Sequence, residues 1–189
     1  MIKYFFGLAV ACLLSGCAAT GTKTLYRAAG FEPLRKLGFA RLNPGEAVRT
    51  HFPQADSIFV AAMKATFGHY AADHVKPIDF PVSPGADGLL LRDLCDRDSL
   101  DGVIVASMKF INVTYGVYGI PIAQNWDTEV DMGLYNRKGD LLLAVRHNTF
   151  RGNSYLMPPP ANRTIYDGTA GAVRRIAREL GWTRPAPTR

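Results

Sequence analysis

Three sets of side chains in this 189-residue chain have types and spacings that could do chemistry. Asp127, Glu129 and Asp131 occupy every second position of an alternating stretch, so on a strand they share one face, about 6.8 Å apart. Such a carboxylate row could hold a cation or meet a basic partner. Lys109 and, on a returning strand, Arg146 or His147 offer cross-strand neutralisation, which predicts an ordinary solvated sheet face. His69, Asp73 and His74 form a second set, since imidazole plus carboxylate suits zinc binding or acid–base work. Their spacing argues otherwise: His69 and Asp73 share a helical face, His74 lies about 100° further round, and no His-Glu-x-x-His pattern occurs. A capping or surface role is the expectation there. No Gly-x-Ser-x-Gly elbow is present for serine catalysis.

The third set is Tyr115-Gly116-Val117-Tyr118-Gly119-Ile120-Pro121-Ile122, an aromatic and aliphatic run where a polar turn belongs between two strands. Either it folds back over the core, or it offers Tyr115, Tyr118, Ile120 and Ile122 to a partner or a lipid surface. Arg174, Arg175 and Arg178 give the last helix a basic outer side, read as solvation. Together these sets predict a protein without catalytic residues, metal or cofactor.

Covalent chemistry is specified elsewhere, at Leu14-Ser15-Gly16-Cys17. Ahead of it stand Lys3 and an apolar run from Tyr4 to Leu14, too short for the ~20 residues of a membrane-spanning helix. Small Ser15 and Gly16 let extended backbone enter a peptidase site, and the Cys17 thiol is the nucleophile that can accept a lipid as a thioether. A conventional secretory signal ending in Gly16-Cys17-Ala18-Ala19 is the rival reading. Residues 1 to about 20 resemble bacterial lipoprotein precursors. That resemblance implies removal of residues 1–16 and a diacylglyceryl group on Cys17. It also implies an acylated new amine, and two or three chains at ~0.8 kcal/mol per buried methylene anchor stably where one is marginal. Ala18 rather than Asp after the cysteine implies the outer membrane, with the domain facing the periplasm.

Without residues 1–16 the chain has 173 residues, 21 of them basic (Lys3 having been removed) and 16 acidic. That length suits one domain. The modest positive charge is compatible with anionic headgroups or wall polymer, and no nucleic-acid motif accompanies it. Cys12 departs with the signal and Cys17 is consumed by lipid, so Cys95 is left alone in a run with Leu89-Leu90-Leu91 and Leu94. Burial as a small hydrophobe is expected for it.

Residues 17–36 read as a lipidated tether, 37–183 as a single α/β domain and 184–189 as a loose tail. Leu37 to Leu42 predicts a first strand, ended by Asn43-Pro44-Gly45. Phe59, Ala62, Met63, Phe67 and Tyr70 recur at helical spacing within 54–71. Val75 to Phe80, weakened by Pro77, suits a sheet edge, and Pro84-Gly85 introduces a second helix to about Arg97. Gly102 to Tyr115 is the longest strand, with Val103 to Ala106 apolar on both faces and so doubly buried. Trp126, Val130, Met132 and Leu134 alternate with the carboxylates in the next strand. Asn136-Arg137-Lys138-Gly139 turns it into an antiparallel return over Leu141 to Phe150. Thr164 with Asp167 resembles a capping arrangement for a closing helix in which Thr169, Val173, Ile176 and Leu180 share a face and Gly181 ends the run.

The expected fold is therefore α/β: a mixed sheet of about five strands, about three helices mainly on one face, and an antiparallel hairpin near the C-terminal end. This order resembles the periplasmic domains related to the curli-secretion lipoprotein and the amino-terminal domain of TolB. Carrying the resemblance are Asp101 to Ala106, the strand Trp126 to Tyr135 running into Asn136-Arg137-Lys138-Gly139-Asp140-Leu141, and the amphipathic Thr169 to Leu180, about half the chain. It implies binding to other envelope proteins. The function expected is an outer-membrane-anchored, non-catalytic interaction or envelope-assembly accessory. Its expected partners are the membrane, through the lipid, and an envelope protein or a second copy of the chain, with no nucleic acid. A ligand-binding or lipid-handling lipoprotein is the alternative, and an envelope hydrolase the third reading.

Overall fold

The computed structural model describes residues 21–31, 34–70, 75–117, 120–150 and 159–183, apart from the side chains of residues 47 and 113–125. Along the chain run β1 (Gly21–Arg27), β2 (Leu37–Arg41), α1 (Glu46–His51), α2 (Ala55–Gly68) and β3 (Val75–Pro81). They are followed by α3 (Gly88–Asp98), β4 (Gly102–Val117), β5 (Ile120–Asn136), β6 (Leu141–Asn148) and α4 (Ala161–Glu179). The six strands form one mixed sheet in the order β1-β6-β5-β4-β2-β3. β2 is parallel to β3 and β4, whereas β4, β5, β6 and β1 are successively antiparallel.

The apolar pattern of β4 sets the layers. Val103 to Ala106 are all buried, and because successive side chains point to opposite faces they feed two cores. Ile104 and Ala106 join Met132, Leu134, Leu143 and Val145 beneath α2 and α4, which contribute Phe59, Met63, Val173 and Ile176. Val103 and Val105 join Ala40, Ile78 and α3 residues Leu91, Leu94 and Cys95 on the other face. Two long helices thus cover one face of the sheet, and α3 covers only the β2–β3–β4 end of the other.

Among the described residues, six strands and four helices replace the expected five and three, for identifiable reasons. Residues 17–36 were expected to be a tether, yet Gly21–Arg27 pairs with β6 from Gly21↔Asn148 to Arg27↔Leu143. The Thr22-Lys23-Thr24 alternation carries β-branched residues on one face, where the Thr24 hydroxyl accepts a hydrogen bond from Arg175 Nε at 2.8 Å and lies 3.2 Å from Glu179 Oε1. Polar contacts to α4, invisible in a single-segment reading, turn a polar stretch into an edge strand. The extra helix α1 has six residues, too few to establish a 3.6-residue period.

The closing helix also starts earlier than expected. Pro160 occupies its N-cap position without a side-chain cap, as suits a residue lacking the N–H that would be unsatisfied anyway. Thr164 lies inside the helix, buried, and Asp167 pairs with Arg163 at 3.5 Å one turn back. The capping arrangement is thus replaced by a packing contact at Thr164 and an exposed i,i+4 pair. The expected β5–β6 turn is present: Gly139 has φ +87°, and the Asn136 side-chain oxygen accepts from the N–H groups of Lys138 and Asp140 at 2.8 and 2.9 Å. A Cβ at Gly139 would also stand 2.5 Å from the Cα of Gly88, at the start of α3. Gly139→Ala combines a left-handed backbone penalty with a backbone collision, so we expect a loss of about 2–4 kcal/mol, measured as a lowered midpoint in chemical denaturation.

Candidate functional site

β4 and β5 are twice the length of the other strands, and their outer halves leave the sheet. They pair continuously from Gly102↔Asn136 to Val117↔Ile120, with one register shift between Tyr115 and Gly116. On the neighbouring edges, β6 pairs with β5 no further than Glu129↔Asn148, and β2 meets β4 only over Gly102 to Ile104. Among the described residues the hairpin beyond Thr128 therefore has no further strand beside it. Lys109 and Val117 are eight residue steps apart, about 26 Å at ~3.3 Å each. The run expected to be a loop over 115–122 is mostly strand: Tyr115 and Ile120 lie in paired backbone, Ile122 is the residue skipped at the register shift, and Tyr118 falls outside the described residues. Gly116 and Pro121 suggest a break when read locally, but they pair with each other across the hairpin.

The root of this hairpin is fixed on the helical side. Phe52, between α1 and α2, stacks on Phe110 with ring centroids 4.3 Å apart and meets Trp126 edge-on at 5.6 Å. Such aromatic pairs add about 0.5–1.5 kcal/mol beyond the area they bury. Thr128 donates its hydroxyl to Thr164 Oγ1 of α4 at 2.9 Å, and Thr164 Oγ1 stands 2.9 Å from the Trp126 carbonyl. Both threonines are buried, so this polar contact replaces water that cannot reach them.

On the opposite face, where α3 gives no cover, charges alternate across strands. Arg146 of β6 donates through Nε and Nη2 to the two oxygens of Asp131, at 2.6 and 2.8 Å, and its Nε lies 3.5 Å from Glu129. Lys109 of β4 approaches Glu129 at 4.0 Å. The carboxylate row is thus neutralised by Arg146 and Lys109, as the pattern predicts for a solvated sheet face, and the hydrogen bond to Asp131 raises the pKa of Arg146. Asp127 differs from its row: it is buried and lies 3.3 Å from the Thr149 hydroxyl. His147, expected among the neutralising groups, is on the other face with its Nδ1 2.7 Å from Thr22 Oγ1, because one residue along β6 reverses the side-chain direction.

The remaining candidates are dispersed. His69 caps the C-terminal end of α2 and is exposed, while Asp73 and His74 lie outside the described residues. Cys95 is wholly buried, and its thiol is pushed up to about 11, by burial first and Asp96 second, which disfavours the reactive thiolate. Among the described residues no three His, Cys, Asp or Glu stand together to hold a metal. Cys17 precedes the described residues. What the sequence reading missed is that Arg174, Arg175 and Arg178 line a cavity of about 280 Å³ with Thr22, His147 and Gly171; the positions of the arginines were noted, but β1, which closes the cavity, was not foreseen.

Removing the central cation of the open face tests the neutralisation. Arg146→Met leaves Glu129 and Asp131 side by side with only Lys109, and we expect a loss of about 1 kcal/mol at neutral pH, given the partial exposure of the pair. Denaturant titrations of the variant and the parent chain at neutral pH would read that difference as a lowered midpoint.

No protein-family model and no curated protein matches this chain. Solved structures do resemble its fold. One is a PelC dodecamer from Paraburkholderia phytofirmans, matched with a TM-score of 0.51 at 9% identity over 87% of this chain and 98% of that one. Another is a leucine-to-methionine variant of the same PelC dodecamer in a different crystal form, with a TM-score of 0.52 at 12% identity over 86% and 98%. At this level of identity the likeness concerns the arrangement of strands and helices, and in that arrangement this chain is similar to nearly the whole of a PelC subunit.

Proposed function

We propose that this chain is a lipoprotein anchored through Cys17 to the outer membrane, facing the periplasm, and that it acts as a non-catalytic accessory in envelope assembly. The observation that carries this reading is the position of the lipid-attachment motif relative to the fold. Cys17 precedes Gly21 by four residues, which can span no more than about 14 Å. Gly21 pairs with Asn148, itself opposite Glu129, so β1 starts at the end of the sheet from which the β4–β5 hairpin projects. An anchor there would turn the hairpin toward the bilayer, and the hairpin is longer than the reach of the anchor. The apolar residues Tyr115, Tyr118, Ile120 and Ile122 would then serve as the surface presented at the membrane to an envelope partner or to a neighbouring copy.

The likeness to subunits that assemble as dodecamers supports a homo-oligomeric form of this accessory. Both sheet edges fit such contacts. The β1 edge exposes Leu25 and Tyr26, and the β3 edge exposes Phe80, and an unpaired strand edge bearing apolar side chains is a template for association.

Crosslinking in living cells, followed by extraction and identification of what co-purifies, tests the reading, with native mass measured on the extracted species. Envelope proteins or multiples of the chain should be recovered in the membrane fraction and lost with Cys17→Ser. Tyr118→Ser should weaken the complex and leave the melting temperature unchanged. Equal recovery of the same complexes with Cys17→Ser would remove the anchored role, and unchanged complexes with Tyr118→Ser would remove the hairpin as the contact surface.

A further inference from the structure

We infer that the cavity between α4 and the edge strand β1 is a binding site for a phosphate group, and that its ligand is the headgroup of an anionic phospholipid. The cavity, about 280 Å³, is lined by Thr22, His147, Gly171, Arg174, Arg175 and Arg178. Among the described residues no carboxylate is in that lining. Glu179, one turn beyond Arg175, is held by Arg175 at 2.9 Å and by Arg27 at 3.4 Å, so Arg175 is compensated. Among the described residues, neither Arg174 nor Arg178 has a carboxylate partner. They lie four residues apart on α4 and so point the same way one turn apart.

Helix and sheet cooperate to shape this site. The imidazole of His147 lies where a Cβ of residue 171 would stand, so Gly171 lets the ring sit flat against the α4 backbone. The Thr22 hydroxyl, 2.7 Å from His147 Nδ1, closes the floor from the β1 side. Arg175 is positioned from both directions, by Thr24 and by Glu179. Two uncompensated guanidinium groups above a polar floor suit an oxyanion with several acceptor oxygens, because each planar fork can donate two parallel hydrogen bonds to a phosphate. A sulfur or carbon ligand would leave those donors unanswered.

The choice of a lipid as the source rests on the anchored reading given above; the phosphate chemistry does not. Thr22 is five residues beyond Cys17, no more than about 18 Å of chain. A headgroup in the same leaflet as the anchor would therefore be the phosphate most accessible to the cavity. Occupancy would add a second, electrostatic attachment to the lipid one and set how the domain stands on the membrane.

The test uses the full lipidated chain in a zwitterionic detergent. Inorganic phosphate is titrated calorimetrically, and native mass spectrometry follows retention of phosphatidylglycerol against phosphatidylcholine. Arg174→Ala/Arg178→Ala should weaken phosphate binding about tenfold or more and abolish selective retention of phosphatidylglycerol. The charge-matched Arg49→Ala/Arg92→Ala, on other exposed helical positions, should leave both unchanged. All four side chains are exposed, so neither double variant removes core packing. Arg174→Lys/Arg178→Lys, which keeps the charge and loses the forks, should fall between. Phosphate binding lost in the first variant without lipid selectivity would make a free phosphate the ligand and overturn only the lipid assignment. Absence of saturable phosphate binding, or equal weakening in the charge-matched control, would overturn the site itself, whatever the fate of the anchor.

Discussion

The whole arrangement depends on the double burial of the first part of β4. Val103 and Val105 face α3 while Ile104 and Ala106 face α2 and α4, and all four are shielded from water. A strand can be apolar on both faces only between two covering layers, so this segment requires helices above and below it. The parallel pairing with β2 and the β2–β3 unit follow from that requirement, since a parallel neighbour needs a crossover connection and the crossover here carries a helix. Gly102 makes the strand entry tight: a Cβ there would stand 2.5 Å from the Tyr135 carbonyl oxygen.

What happens further along β4 is the consequence of one layer running out. α3 spans 11 residues and covers only one end of its face. Past Ala106 that face meets water, and Lys109, Glu129, Asp131 and Arg146 take the place of apolar side chains. The other face remains covered as far as Phe110 and Trp126, where Phe52 closes it. Beyond those rings β4 and β5 support only each other among the described residues. The hairpin is therefore cantilevered: clamped at its root by aromatic stacking and the Thr128–Thr164 hydrogen bond, and free of other described strands along its length. An extended two-stranded ribbon is marginal by itself, so contacts at its outer end would contribute to its order as well as to recognition.

Charge is distributed by the same logic. On the open face opposite charges are interleaved closely enough to satisfy one another. At the β1 edge, by contrast, α4 carries more guanidinium groups than Glu179 can answer. The contrast separates a surface adapted to water from one adapted to an anion. It arises because β1, the strand nearest the proposed anchor, supplies hydroxyls rather than carboxylates to the helix that covers it.

Much of this was legible in the amino-acid order. The doubly buried start of β4, the edge position of β3, the glycine-centred turn at Gly139, the buried face of α4 and the burial of Cys95 all follow from local patterns of apolar residues and turn formers. Those patterns express constraints that act within a few residues. The proposed lipid attachment at Cys17 likewise rests on the sequence alone. Tertiary structure decided the rest. Gly21–Arg27 became a strand because β6 offered an open edge and α4 offered Arg175 and Glu179. The described part of the apolar run from Tyr115 to Ile122 became mostly ribbon because each strand supplied the other's hydrogen bonds. His147 went to the helical face because strand register, set by the distant pairing with β5, fixed its direction. Thr164 moved from a cap to a buried contact because Pro160 began the helix earlier and Thr128 lay beneath it. In each case the deciding partner lies far away in sequence, so its hydrogen bonds and packing could be read only once the chain had folded.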